Sequence, residues 1–323
     1  MRNLILIGSL MGLTACATTT SQQPTQQNVA QQSVAEQFHQ LADTIWEGMN
    51  ESSDTELTDM SPEALKARYE KQSKWLEQLD AIKLNQLSDE DKINHAMIRY
   101  SLKNRVDEYR FNAHYMPLTA EGSFHSSLAF MPSYTSFNSV EDYQNYISKL
   151  RSVPRYMEQQ THWLRKAIEE GYTQPAAAMV GFEESILAYL VQDASESVYF
   201  SPFAKQPAFV NDTEWEALKA DAMTAIDEQV MPAYDDYFTF MVTEYLPNAR
   251  ESVGASELPN GDAFYQNRIK HYTTLDMTAD EIHEIGLQEV ARIRGEMLKA
   301  IEATGFDGDF DEFVEFLRTD DQF

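Results

Sequence analysis

The sequence predicts an all-α protein, a multi-helix bundle, and three observations carry that expectation. Apolar residues recur at helical spacing from Val34 onward, alternating β-type runs are few, and glycine and proline are scarce, 12 and 11 in 323 residues. Hydrophobic residues make 43% of the chain, enough to bury a substantial core, so general disorder is excluded. Lys and Arg number 25 against 52 Asp and Glu, a formal charge of −27 that repels phosphate backbones and anionic lipid heads. A nucleic-acid partner is therefore not expected. The single cysteine excludes an intrachain disulfide, a cysteine-based zinc cluster and a CxxC redox motif.

The chain opens on an address. Residues 1–15 pair Arg2 with the apolar run Leu4-Ile5-Leu6-Ile7-Gly8-Ser9-Leu10-Met11-Gly12, which reads as a secretory signal too short for a permanent membrane anchor. Leu13-Thr14-Ala15-Cys16 resembles the bacterial lipobox, in which the peptidase cuts before the cysteine and the Cys16 thiol receives the lipid. That resemblance implies membrane attachment through Cys16, and Ala17 resembles the pattern that sends a lipoprotein to the periplasmic side of the outer membrane. Residues 16–33 are rich in Gln and Thr and almost free of large apolar side chains, so they read as a flexible tether. Residues 34–323 form the helical domain.

Its elements follow in order. Val34, Phe38, Leu41, Ile45 and Trp46 mark the first helix. Ser61-Pro62-Glu63 sets an N-cap and a first-turn proline for the second, with Leu65, Tyr69, Leu76 and Leu79 along one side. Ser88-Asp89-Glu90-Asp91 starts the third, where Ile93, Met97, Tyr100 and Leu102 are the expected buried side. Residues 112–138 hold Pro117, Gly122 and Pro132 among many aromatics, a packed connection or short hairpin. A long helix over 139–170, kinked at Pro154, stops at Gly171. Another runs from about 175 to 192, and a further one from 215 to about 246 is interrupted near Pro232.

Residues 258–304 are the most informative stretch. Thr278 and Glu281 form a capping box, Ile282, Ile285, Val290, Ile293, Met297 and Ile301 form an apolar stripe, and Gly305 ends the helix. The stretch also resembles the domain of unknown function 885 family of bacterial secreted or lipid-anchored proteins. The residues that carry this are Asn260-Gly261-Asp262-Ala263-Phe264-Tyr265, Tyr272-Thr273-Thr274 and Thr278-Ala279-Asp280-Glu281-Ile282-His283-Glu284-Ile285-Gly286-Leu287. Residues 141–156, Ser201-Pro202-Phe203 and Phe316-Leu317-Arg318-Thr319-Asp320 fit as well, so the likeness extends over about 34–323. It implies the N-terminal part of a helical metallopeptidase-like fold; Tyr265 and Tyr272, within its motif, are candidates to line a cleft for a peptide substrate, the alternative for aromatics at such spacing being core.

Zinc hydrolysis on a helix needs two histidines one turn apart, a glutamate beside the first as general base, and a further carboxylate ligand. Family members carry a related HE...GH element. Here the only His-Glu pair is His283-Glu284, and the position one turn later is Leu287. The seven histidines, at 39, 95, 114, 125, 162, 271 and 283, contain no i, i+4 pair. His114 and His125, with Glu121 between them, are a weaker candidate for a metal site across the aromatic loop. Asp307, Asp309 and Asp311 alternate as in a calcium loop, but the twelfth position is Arg318 where glutamate is needed. No G-x-S-x-G elbow and no phosphate-binding glycine loop is present. No catalytic residue, metal ligand or cofactor is therefore expected in this chain, and zinc only in a full-length relative.

In the family, the segment like 316–320 precedes the metal helix, and only Asp321-Gln322-Phe323 follow it here. The resemblance thus implies a domain cut short at its C-terminal end, inactive as it stands. The alternative is a non-enzymatic helical lipoprotein that binds a periplasmic partner. The two differ in one physical respect: a severed half exposes a large apolar face, and a self-sufficient domain does not.

Overall fold

A computed structural model describes residues 33–119 and 122–322. The signal segment, Cys16, the tether up to residue 32 and Glu121 lie outside the described residues. Within them the protein is all-α: thirteen α-helices are joined by short 3-10 and π turns, and extended backbone pairs only at two isolated bridges, Leu118 with Ser123 and Pro175 with Arg250.

Helices α1 (Val34–Met49), α2 (Pro62–Asp80) and α3 (Asp89–Arg110) form an N-terminal unit, each opened by a serine. Ser33 and Glu36 complete a capping box, and the Ser61 and Ser88 hydroxyls accept the amide protons of Ala64 and Asp91. Phe38, Ile45, Trp75, Leu79, Leu87 and Leu102 form this unit's core. The expected apolar side of α3 is not the one it buries: Ile93, Met97 and Tyr100 are 62%, 66% and 41% exposed, and Trp46 of α1 is 72% exposed. Of the expected four only Leu102 lies on the seam, which also takes in His95, Val106 and Asp107. Polar residues hold it because each is satisfied there: His95 Nε2 donates to the Leu79 carbonyl at 2.8 Å, and Asp107 accepts from Asn267 at 2.8 Å.

The main body comprises α4 (Phe124–Ala129), α5 (Met131–Tyr134), α6 (Val140–Arg151), α7 (Val153–Glu170), α8 (Phe182–Leu187), α9 (Asp212–Ala225) and α10 (Met231–Phe240). One continuous core joins them through Tyr146, Ile147, Leu164, Tyr199, Phe203 and Tyr234, among others. Residues 112–138 contribute Leu118, Phe124, Leu128 and Met131 to it, so the aromatic connection is packed into the core.

Three expected helices differ in detail. The helix over 139–170 is two, broken at Ser152, because Pro154 cannot donate to the preceding turn and the Ser152 hydroxyl accepts the Leu57 amide proton at 2.9 Å. The 175–192 helix shrinks to a 3-10 turn, Ala176–Ala178, and α8, since Ala176 pairs its amide with the Arg250 carbonyl and Gly181 turns at φ 73°. Near Pro232 the helix widens rather than stops: Ile226–Val230 is a π turn in which the Met231 amide reaches the Ile226 carbonyl. A second π turn follows at Met241–Tyr245. Such turns absorb a residue that cannot make the regular bond.

The C-terminal helices are α11 (Gly261–Thr273), α12 (Ala279–Thr304) and α13 (Phe310–Thr319). Thr278 and Glu281 cap α12 as expected, and Gly305 ends it at φ 77°. Its stripe, however, is buried only at Ile301; Val290, Ile293 and Met297 on the same side are 66%, 45% and 42% exposed. Phe306, Phe313 and Phe316 pack against one another, with ring centroids 5.1 to 6.2 Å apart, a small cluster of the α12–α13 pair alone.

Candidate functional site

The family-like stretch builds one wall of a groove. Asn260 turns at φ 57° and Gly261 follows where an added Cβ would lie 2.1 Å from the Ala255 carbonyl oxygen, so only glycine lets α11 start against that turn. From there α11 runs along α3. Asn267 Nδ2 donates to Asp107 Oδ2 at 2.8 Å, and Arg268 donates to Asn104 Oδ1 at 2.8 Å and to Glu108 Oε1 at 3.2 Å. Phe264 packs on Phe111 with centroids 5.8 Å apart and lies under the Arg268 guanidinium at 5.6 Å. At the far end Tyr100 stacks on His271, centroids 5.1 Å apart, and its hydroxyl donates to the His271 carbonyl.

Between these contacts lies a cavity of about 630 Å³, the size of a small-ligand site, with Tyr100, Asp107, Gln266, Asn267 and His271 on its walls. Its cations are already matched: Arg99 pairs with Asp80, Lys103 with Asp107 and Lys270 with Asp276. The groove's amides are engaged too, Asn104 and Asn267 by Glu108, Asp107 and Arg268, and Gln266 by the Met277 carbonyl, so what it presents is aromatic surface and balanced charge.

Tyr265 and Tyr272 stand on α11 seven residues apart, two turns, and so on one side of it. They are 48% and 78% exposed, neither lines the groove, and Tyr272 rests edge-on against His271 at 4.9 Å. Cys16 lies outside the described residues. Four groups that do shape the groove, Tyr100, Asp107, Asn267 and His271, carry no local sequence signal, because each finds its partner 160 or more residues away.

The metal candidates fall apart in space. His114 is enclosed by Tyr109, Tyr115 and Trp163, whereas His125 sits among Phe182, Tyr189, Tyr234 and Tyr237 with Nε2 3.1 Å from the Ser185 hydroxyl. Burial lowers the pKa of each imidazole to about 4, and both Nδ1 atoms lack a hydrogen-bond partner. The two imidazoles thus lie in separate aromatic enclosures, and among the described residues no three of His, Cys, Asp or Glu are grouped to hold a metal. Asp309, one of the alternating aspartates, instead caps α13 by accepting the Glu312 amide proton at 2.9 Å. No helix among the described residues is long and apolar enough to cross a membrane.

No curated protein matches the chain. Among solved structures, the crystal structure of a Colwellia psychrerythraea protein, described as a "putative lipoprotein", superposes with a TM-score of 0.73 over 90% of this chain, at 18% identity. That similarity establishes a shared fold. The chain spans 54% of the length of that protein. The family model for bacterial proteins of unknown function, DUF885, matches residues 43–323. By that match the chain belongs to the DUF885 family.

Proposed function

We propose that this chain is the N-terminal, non-catalytic part of a lipid-anchored, metallopeptidase-like protein at the periplasmic side of the outer membrane. Cys16 carries the lipid. The groove between α3 and α11, with Tyr265 and Tyr272 beside it, is one wall of a peptide cleft, and the zinc ligands and general base belong to chain beyond these residues. The reading rests on one observation above all: α12 continues from the buried Ile301 as an apolar face whose Val290, Ile293 and Met297 are 66%, 45% and 42% exposed. A face of that kind on a soluble domain is what a missing neighbour leaves behind. The partial span of the similar crystal structure, 54% of its length, supports the same reading.

Reading the gene beyond the Phe323 codon in all three frames tests it. A His-Glu pair followed by Gly-His supports the proposal, and no such element in any frame refutes it. The anchor has its own test. Cys16→Ser is expected to release the protein from membranes, and unchanged retention excludes lipid attachment there.

A further inference from the structure

The N-terminal unit contains a second, cationic pocket that the groove does not include. Arg68 of α2 and Arg105 of α3 line a cavity of about 380 Å³ together with Tyr69, Tyr109 and His114. In a chain with a formal charge of −27, six of the described arginines pair with a carboxylate, among them Arg165 with two 2.8 Å bonds to Glu244 and Arg99 2.5 Å from Asp80. The pocket pair does not. Arg105 has no hydrogen bond or ion pair with any described residue, and Arg68 gives Nη2 to the Asp59 backbone carbonyl at 2.6 Å. Burial lowers the Arg68 pKa; the Asp59 charge opposes that, and the like charge of Arg105 adds to it. The one carboxylate on the wall, Glu108, is held by Arg268 at 3.2 Å and Asn104 at 2.9 Å.

The remaining wall is aromatic and rigid. Tyr69 stacks on Tyr109 at 4.4 Å and Tyr109 on His114 at 4.9 Å, with planes within 15° in both pairs. Arg110 Nε donates to the Tyr69 hydroxyl at 3.2 Å, which adds a third guanidinium to the same neighbourhood. His114 lines this pocket with its Nδ1 buried and unpartnered.

Two guanidinium groups kept together with no carboxylate in ion-pair contact, beside stacked aromatic rings, are arranged for a negative charge that the pocket itself does not supply. We propose that this pocket binds a small oxyanion, a carboxylate or a phosphate ester, held by Arg68 and Arg105 with its organic body against the Tyr69, Tyr109 and His114 rings. The site is independent of the cleft reading, because it lies wholly within α2, α3 and the turn after α3.

Calorimetric titration of the full chain at low ionic strength, with phenyl phosphate, benzoate and the uncharged benzamide, tests this. Both anions are expected to bind in preference to benzamide. Arg105→Gln, at an exposed position that leaves the fold intact, is expected to weaken them at least about tenfold. Arg99→Gln, a cation removed from the other groove, should leave them unchanged. Phenyl phosphate binding more tightly than benzoate assigns the site to phosphate esters, and the reverse order assigns it to carboxylic acids. Absence of anion binding, equal binding of benzamide, or equal losses in the two variants would overturn the proposal.

Discussion

Replacing Tyr234 by Phe removes one oxygen from the centre of the main core and breaks two hydrogen bonds. The Tyr199 and Tyr234 hydroxyls lie 2.5 Å apart, and Tyr234 donates to the His125 carbonyl at 2.6 Å. Both tyrosines are 0% exposed, so no bulk water replaces what is lost. A buried hydroxyl left without its partner costs about 1–3 kcal/mol and the second bond contributes about 0.5–1.5, which together give a destabilisation of about 2–4 kcal/mol. At roughly 2–4 °C per kcal/mol for a domain of this size, the melting temperature falls by about 4–16 °C. Tyr237, three residues on along α10 and 1% exposed, is the internal control. Its hydroxyl lies near that of Ser123, yet neither oxygen has a partner with hydrogen-bonding geometry. Tyr237→Phe should therefore change stability by less than about 0.5 kcal/mol or raise it. Thermal melts followed by circular dichroism measure both variants. If Tyr237→Phe costs as much as Tyr234→Phe, or if Tyr234→Phe is neutral, the reasoning about this polar core is wrong.

Stability should depend on pH through the buried imidazoles. Burial holds His125 at a pKa of about 4 against an ordinary 6.5, so between those values the unfolded chain binds a proton that the native one does not. Stability is then full above about pH 6.5 and falls toward pH 4, by at most about 1.4 kcal/mol per pH unit for this residue. His114 acts with the same sign. His125→Gln should flatten the melting temperature over that window, and an unchanged slope would show that the imidazole is charged in the native protein. Gly261→Ala places a methyl group 2.1 Å from the Ala255 carbonyl, which should cost about 1–3 kcal/mol and loosen α11 from α3. Faster amide exchange over 261–273 than over 62–80 in that variant would report it, and uniform exchange would argue against a local clash.

Helix ends were legible in the sequence because caps are local chemistry. Ser61 with Pro62, Thr278 with Glu281, and the left-handed glycines 171 and 305 each depend on residues within one turn. Prolines marked where helices change but not how. Pro154 accompanies a break because the Ser152 hydroxyl two residues earlier accepts the Leu57 amide proton, and Pro232 accompanies a π turn. The helix expected over 175–192 was lost to a backbone pairing with Arg250, which no local window contains. Apart from Leu102, the buried face of α3 is hidden from the sequence for a related reason: His95 and Asp107 look like surface residues until Leu79 and Asn267 are placed beside them. The groove itself joins residues 160 or more positions apart, so only its family-like half could be seen in advance.

The exposed side of α12 is the point on which the functional account turns. Substituting Val290, Ile293 and Met297 together by Ser removes apolar surface that is already 66%, 45% and 42% exposed, so the helical spectrum and melting temperature should hardly change. Fluorescence of an uncharged solvatochromic dye such as Nile red reads the face directly. The account predicts strong emission from the purified chain and loss of most of it in the triple variant. A wild-type chain that is dark and monodisperse, with no difference from the variant, would mean that α12 lacks an unfilled docking face and that this domain is complete in itself.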